Sequence, residues 1–254
     1  MTSFEDALFR LWPNGDVKIP GLRRAMVDTA SRVFETYGIN TKTAMNQFMA
    51  QISHECGAGL DVEENLNYTA ARMTEVWPTR FRSISEALPY AHNPRALGNK
   101  VYNGRMGNAI GTDDGYNFRG RGATQVTGKE GYAKLGAKVG LDLINHPELV
   151  NLPANFMECG AADFVLCGCL LPALSDDIHQ VTLRLNGGLI GYSERQQWLA
   201  KWKALNVAIP LPKAPESPSV IVASNVVPIN PAAQPAVSGL GKLFQAFMSL
   251  FKRN

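Results

Sequence analysis

Three glutamates that follow one apolar helical pattern are the residues whose type and spacing best suit chemistry. Glu55 comes after apolar residues at three- and four-residue steps, and Gly57 and Gly59 follow it closely. Glu63 and Glu64 lie beyond this turn, so the chain can fold back and place one of them across a groove from Glu55. Hydrolysis of a glycosidic bond needs two such carboxyl groups, one that donates a proton and one that activates water.

The sequence predicts no metal or organic cofactor for this chemistry. His54 and Glu55 begin a zinc-binding HExxH pattern, but Ala58 stands where the second histidine is required. No two cysteines have the two-residue gap of a zinc knuckle. Because their neighbours are apolar, we predict buried free thiols in a reducing compartment, with a disulfide as the alternative, for Cys56, Cys159, Cys167 and Cys169.

The elements that must position the glutamates are predicted to be helices. Apolar periodicity and helix-stop residues indicate that the main body, residues 1–207, is mainly α. The segment 98–128 is rich in Gly, Asn, Arg and Tyr, which predicts a loop or short hairpin lining a cleft. The predicted helices cover residues 22–37, 41–55, 70–76, 131–139, 154–170, 176–185 and 192–205.

The composition changes abruptly after Asn206. Residues 208–238 hold seven prolines among Ala, Val and Ser, which predicts a semi-extended linker. Residues 239–254 place apolar side chains on one helical face beside three basic residues, which predicts a cationic amphipathic helix. Contact with a membrane surface or lipopolysaccharide is one interpretation of this helix. Docking on the main domain or on a partner subunit is the alternative.

Charge and hydropathy exclude several classes of protein. Of 25 basic and 22 acidic residues, four basic and one acidic residue lie after position 207, so the body is formally neutral and a nucleic-acid partner is not expected. The N-terminus lacks a basic region followed by an apolar run, which predicts no signal peptide. No apolar stretch reaches the roughly 18 residues of a membrane span.

Four blocks of sequence carry a family resemblance along the main body. They are FMAQISHECGAG at 48–59, EENLNYTAARM at 63–73, YNFRGRGATQVTGKEGY at 116–132, and LNGG at 185–188 followed by Arg195. In this order they resemble the acid segment, the second-carboxylate segment, the arginine- and glycine-rich cleft strand and the late cleft motif of the family 19 glycoside hydrolases, the chitinase and endolysin group. The resemblance implies a lysozyme-like helical domain.

The resemblance also implies roles for individual residues. Glu55 becomes the general acid and Glu64 the general base, with Glu63 as the adjacent alternative. Gln125 and Thr127 match positions that contact the sugar and help hold the attacking water. The remaining candidates are a substrate-binding asparagine, an arginine that supports the carboxylates, a sugar-stacking tyrosine and a buttressing arginine, namely Asn186, Arg195, Tyr68 and Arg121.

Each of these candidates has a structural alternative. In these alternatives Gln125 and Thr127 would pair within a hairpin, Asn186 would end a helix, Arg195 would be a solvated helix residue, and Tyr68 would be a core aromatic.

The resulting functional hypothesis is one-step inverting hydrolysis of a β-1,4 bond. Peptidoglycan, cut between N-acetylmuramic acid and N-acetylglucosamine, is the preferred substrate, because Glu64 follows Glu55 by only nine positions, which favours an open cleft that suits a cross-linked mesh. The chain would then be a monomeric phage-type endolysin, held in the host cytoplasm until another route releases it to the periplasm. A chitinase, and a non-catalytic wall-binding protein, are the alternatives.

Overall fold

The computed structural model of the chain describes residues 1–210. The predicted helix at 239–254 and the linker beyond residue 210 lie outside the described residues. The helices of the described part are α1 Phe4–Leu11, α2 Leu22–Thr36, α3 Lys42–Glu55, α4 Ala70–Val76, α5 Ile84–Ala87, α6 Pro94–Tyr102, α7 Asp114–Asn117, α8 Lys129–Val139, α9 Pro153–Leu166, α10 Leu170–Leu174, α11 Ile178–Asn186 and α12 Tyr192–Ala204.

Local capping explains where the site-bearing helices begin and end. The Thr41 side chain accepts a hydrogen bond from the Ala44 N–H and starts α3, and Thr69 does the same for α4 through the Arg72 N–H. Gly187 adopts a left-handed conformation with φ of 72° directly after α11. The predicted mainly helical fold is therefore confirmed, and α4 occupies the predicted range.

The main hydrophobic core surrounds α3, which packs against α9, α10, α11 and α12. Two tryptophans, Trp12 and Trp202, donate their indole N–H groups to the Ser53 hydroxyl at 2.9 and 3.1 Å. Ser53 in turn donates to the Met49 carbonyl at 2.6 Å. This satisfied buried cluster lies two residues before Glu55, so the end of α3 is anchored in the core.

A second, smaller core lies between α4, α5 and α6. Its buried residues run from Leu66 to Tyr102 and are separate from the main core. Trp77 is its central ring and lies edge-on to Tyr68, with ring centroids 5.1 Å apart, and to Phe81 at 6.4 Å. The described part of the chain is thus a main lobe and a small lobe, joined by segment 63–65, which carries Glu64, and segment 103–117.

The structure differs from the sequence-based expectation at two of the predicted ranges, and it adds α1 and α5, which were not predicted. The range 154–170 is not one helix, because Gly168 adopts a φ of 71° and separates α9 from α10. The segment 98–128 is a loop region as expected, but α6 extends into it and α7 interrupts it. Its extended pairing is limited to the isolated antiparallel bridges Glu63–Arg121 and Arg121–Val126. No helix among residues 1–210 is long and apolar enough to cross a membrane.

Candidate active site

Glu55 is the last residue of α3, and its carboxyl group is held by a buried arginine. The side chain is 5% exposed, and Oε1 accepts a hydrogen bond from Nη2 of Arg195 at 2.7 Å. The Arg195 side chain is fully buried, with 0% of its surface exposed. Arg195 is therefore not a solvated helix residue, and it contacts the candidate acid directly.

A second hydrogen bond fixes the arginine from the other side. Nη1 of Arg195 donates to Oε1 of Gln51 at 2.5 Å, and Nε2 of Gln51 donates to the Thr182 hydroxyl at 3.2 Å. Gln51 precedes Glu55 by one helical turn, so both acceptors lie on the same face of α3. Arg195 on α12 and Thr182 on α11 therefore hold this face from two neighbouring helices.

The chain turns back sharply after Glu55. Gly57, Ala58 and Gly59 all have positive φ values, of 55°, 54° and 89°. At Gly59 a Cβ atom would lie 2.7 Å from the Gly15 carbonyl oxygen, so both the backbone angle and the close approach require glycine there. The Asp61 N–H closes the turn by donating to the Cys56 carbonyl at 2.9 Å.

Glu64 is buried beyond this turn, and its carboxyl group accepts hydrogen bonds from Tyr102 and Gly120. The Tyr102 hydroxyl donates to Oε1 at 2.6 Å, and the Gly120 N–H donates to Oε2 at 3.2 Å. The backbones of Glu64 and Gly120 are also hydrogen-bonded to each other, since the Glu64 N–H donates to the Gly120 carbonyl at 2.8 Å. The carboxyl group is therefore fixed between α6 of the small lobe and the 118–128 loop.

Gln125 and Thr127 converge on the same loop position. A Cβ atom at Gly120 would lie 3.2 Å from Oε1 of Gln125, 3.3 Å from the Thr127 hydroxyl and 3.5 Å from Cβ of Glu64. Gln125 has a φ of 55°, an unusual value for a residue other than glycine, and its Nε2 donates to the Asp61 carbonyl at 2.9 Å. The Thr127 hydroxyl donates to the Gln125 carbonyl at 3.0 Å. The structure thus brings Gln125, Thr127 and Glu64 together.

Glu63 differs from its neighbour in both exposure and partners. Its side chain is 39% exposed and forms ion pairs with Arg119 and with Arg121, the latter at 3.5 Å. Burial first, and the charge of Arg121 second, lower the pKa of Arg119 to about 10. Arg121 also donates to the Tyr132 hydroxyl at 3.2 Å. Arg121 is thus engaged with Glu63 and with the loop.

Tyr68 and Asn186 occupy different surroundings. Tyr68 is half-buried against Trp77, and burial together with the charge of Glu64 raises the pKa of Tyr68 to about 12. Asn186 ends α11, and its amide donates to the carbonyls of Gly188 and Ile190 at 3.3 and 3.2 Å. Within residues 1–210 no hydrogen bond joins Asn186 to either candidate carboxyl group, so its amide serves the turn that leads into α12.

Two residues around the carboxyl groups were missed by the sequence analysis: Gln51, which holds Arg195, and Tyr102, which donates to Glu64. Gln51 was identifiable in principle, because it stands four residues before Glu55 on the same helical face. Tyr102 gave no such signal, because it lies 38 positions from Glu64 and meets it only through the packing of α6. All four cysteines are free thiols, as predicted, but only three of them are buried, because Cys167 is half-buried. Among residues 1–210 no three His, Cys, Asp or Glu side chains are grouped as a metal site.

The sequence of the chain was compared with protein families and with curated proteins. No model of a known protein family matches the chain. Among curated proteins, a glycosyl hydrolase family 19 domain-containing protein of Haemophilus influenzae is 32% identical over 177 residues, which make up 69% of this chain and 86% of that protein.

Solved structures give an independent comparison of the fold. A point mutant of chitinase C superposes with a TM-score of 0.53 at 15% identity, covering 82% of this chain and 94% of that one. Chitinase C from Streptomyces griseus superposes with a TM-score of 0.52 at 17% identity, covering 81% of this chain and 77% of that one. These likenesses show the shared helical fold, and the Haemophilus relative shows the family. The chain belongs to glycosyl hydrolase family 19.

Proposed function

We propose that the chain hydrolyses β-1,4 bonds of an N-acetylhexosamine polymer by single displacement, with Glu55 as the general acid and Glu64 as the general base. The observation that supports this most is the pair of buried carboxyl groups with contrasting partners. Glu55 is bound at one oxygen by Arg195, whereas Glu64 accepts hydrogen bonds from neutral donors at both oxygens. Two carboxyl groups in different environments are suited to different roles.

Glu55 is arranged to donate a proton from one particular oxygen. Among the described residues no donor contacts its Oε2, whereas Oε1 is bound by Arg195. When Glu55 takes up a proton, the ion pair becomes a hydrogen bond in which Arg195 still donates to Oε1, and Oε2 carries the proton that passes to the glycosidic oxygen. Arg195, fully buried, would therefore position the acid without touching the sugar.

Glu64 is arranged to act as the base in its charged form. Hydrogen bonds donated to a carboxylate favour the charged state, and each carboxylate oxygen can accept a second hydrogen bond, here from water. Gln125 and Thr127 lie beside Gly120 and would help orient that water. Glu63, which forms ion pairs with two arginines, is the weaker candidate for the base.

Peptidoglycan is the polymer we propose, cut between N-acetylmuramic acid and N-acetylglucosamine by an endolysin that lyses its host. The short spacing of nine positions from Glu55 to Glu64 supports this choice, because it favours an open cleft. In that role the enzyme would remain in the host cytoplasm until another route releases it to the periplasm. Chitin is the second candidate, favoured by the likeness of the fold to chitinase C.

The test measures the loss of turbidity of outer-membrane-permeabilised Gram-negative cells beside hydrolysis of glycol chitin. Glu55→Gln and Glu64→Gln should each lower the rate by about 10²–10⁴-fold, the usual contribution of general acid–base catalysis. Glu63→Gln is the matched neighbour and should keep most of the activity. If Glu63→Gln were inactive and Glu64→Gln active, the base would be misassigned.

The polymer and the stereochemistry are decided by the same preparations. Cell lysis without chitin hydrolysis supports peptidoglycan, and hydrolysis of chitin alone identifies a chitinase. If the wild type were inactive on both, a non-catalytic binding protein would be the better description. Proton NMR of the first product should show the α-anomer, because single displacement inverts a β bond.

A further inference from the structure

We propose that Tyr102 is a positioning residue that orients the Glu64 carboxylate and stabilises its charge. This inference rests on the proposed role of Glu64 as the general base. It concerns a residue for which neither the sequence motifs nor the family comparison indicates a role.

The contact itself is short and buried. The Tyr102 hydroxyl lies 2.6 Å from Oε1 of Glu64, and the two residues are 3% and 6% exposed. A hydroxyl donating to a charged carboxylate at this distance forms one of the stronger hydrogen bonds found in proteins. Burial first, and the Glu64 charge second, raise the pKa of Tyr102 well above its usual value of 10, so the phenol keeps its proton and remains the donor.

The phenol is held in place by its own surroundings. Tyr102 is the last residue of α6, and its ring packs in the core of the small lobe. Its carbonyl accepts a hydrogen bond from the Asn108 amide at 3.1 Å, and Asn108 also accepts from the Lys129 N–H at 2.9 Å. The hydroxyl therefore reaches Glu64 from a fixed helix end.

Tyr102 donates to Glu64 as a neutral phenol, whereas the adjacent Glu63 contacts charged side chains. Glu63 is paired with Arg119 and Arg121, and a positive charge so close would reduce the basicity of a carboxylate strongly. A phenol favours the charged form of the carboxylate without neutralising it. Tyr102 thus gives Glu64 an ionised carboxylate that is still able to take a proton from water.

The pH dependence of hydrolysis separates this role from simple packing. In Tyr102→Phe the ring stays and the hydroxyl is lost, so protonated Glu64 is less disfavoured. We expect the acidic limb of the kcat/KM profile to move to higher pH by about one to two units, the equivalent of one hydrogen bond to a charged group. At the optimum, kcat should fall about 10-fold or more while KM changes by less than about 2-fold.

Tyr90→Phe is the matched control, because it removes a hydroxyl from an aromatic residue of the same lobe. Tyr90 packs against Phe81 with ring centroids 5.4 Å apart, away from the proposed machinery. This variant should keep the wild-type rate and the wild-type pH profile. A Tyr102→Phe variant with lower kcat but an unmoved acidic limb would show a merely structural role and overturn the proposal.

A second variant keeps the test decisive if Tyr102→Phe does not fold. Incorporation of a fluorinated tyrosine at position 102 preserves the ring and the hydroxyl but makes the phenol a stronger donor. The acidic limb should then move to lower pH, opposite to the Phe variant, and an unchanged limb would refute the role. Because both variants are compared with active wild-type enzyme, this result is distinct from failure of the proposed function, in which the wild type itself would be inactive.

Discussion

Removing the guanidinium of Arg195 should destabilise the protein more than any surface change on α12. Arg195→Met keeps a side chain of similar length but leaves the Glu55 carboxylate and Oε1 of Gln51 without their donors. Breaking a buried ion pair by removing one partner costs about 3–5 kcal/mol, because the remaining charge is uncompensated. Since the side chains of Arg195 and Glu55 are 0% and 5% exposed, solvent cannot replace the lost contact, and we expect a loss within this range.

A double-mutant cycle assigns this cost to the ion pair. Glu55→Gln in the Arg195→Met background removes the uncompensated charge and should recover about 1–3 kcal/mol, the usual range for coupled residues. The free energy of unfolding is measured by urea denaturation with tryptophan fluorescence and linear extrapolation. Gln197→Met, an exposed change on the same helix, is the control and should stay within about 0.5 kcal/mol of wild type.

Two outcomes would refute this reasoning. If Arg195→Met lost less than about 1 kcal/mol, the pair would be more hydrated than its burial indicates. If the two substitutions were additive within about 0.5 kcal/mol, the charges would not be coupled, and Arg195 would stabilise α12 through packing alone.

Two further predictions concern the surroundings of Glu55 and the exposure of the cysteine thiols. Gly191→Ala should lower the free energy of unfolding by about 2–4 kcal/mol in thermal or urea unfolding, because φ is +72° and a Cβ would collide with the His54 imidazole. Gly188→Ala is the control and should be nearly neutral, because nothing lies within 4 Å of a Cβ at that position. A large loss in Gly188→Ala would instead show that the whole turn tolerates no substitution. In native protein at pH 8 a thiol reagent should label the half-buried Cys167 before the other three cysteines, and all four only after unfolding, whereas fewer than four after unfolding would indicate a disulfide.

The sequence was most informative where structure depends on local spacing. The range 70–76 was predicted as a helix that stops before Pro78, and α4 occupies that range. The fold of α9 and α10 was harder to predict, because the apolar pattern continues across Gly168 while its backbone does not. Helical periodicity records which positions are apolar and does not record a single left-handed residue between them.

In the candidate site, too, local motifs identified residues but not their distant partners. Glu55 and Glu64 were identified by motifs, but their partners come from far along the chain, at separations of 140 residues for Arg195 and 38 for Tyr102. Such contacts arise from the packing of α12 and α6, which no local pattern specifies. The resemblance carried Arg195 as a supporting residue, and only the structure shows that it is fully buried and bound to Gln51 as well.

The separation of the two hydrophobic cores has a consequence for thermal inactivation. Glu55 belongs to a helix embedded in the large core, whereas Tyr102, the hydroxyl donor of Glu64, belongs to the small one. Regions with fewer buried apolar contacts open with lower free energies, so the smaller core can open while the rest of the molecule stays native. Heating could then abolish hydrolysis below the temperature of the main unfolding transition, by releasing Tyr102 while Arg195 still holds Glu55.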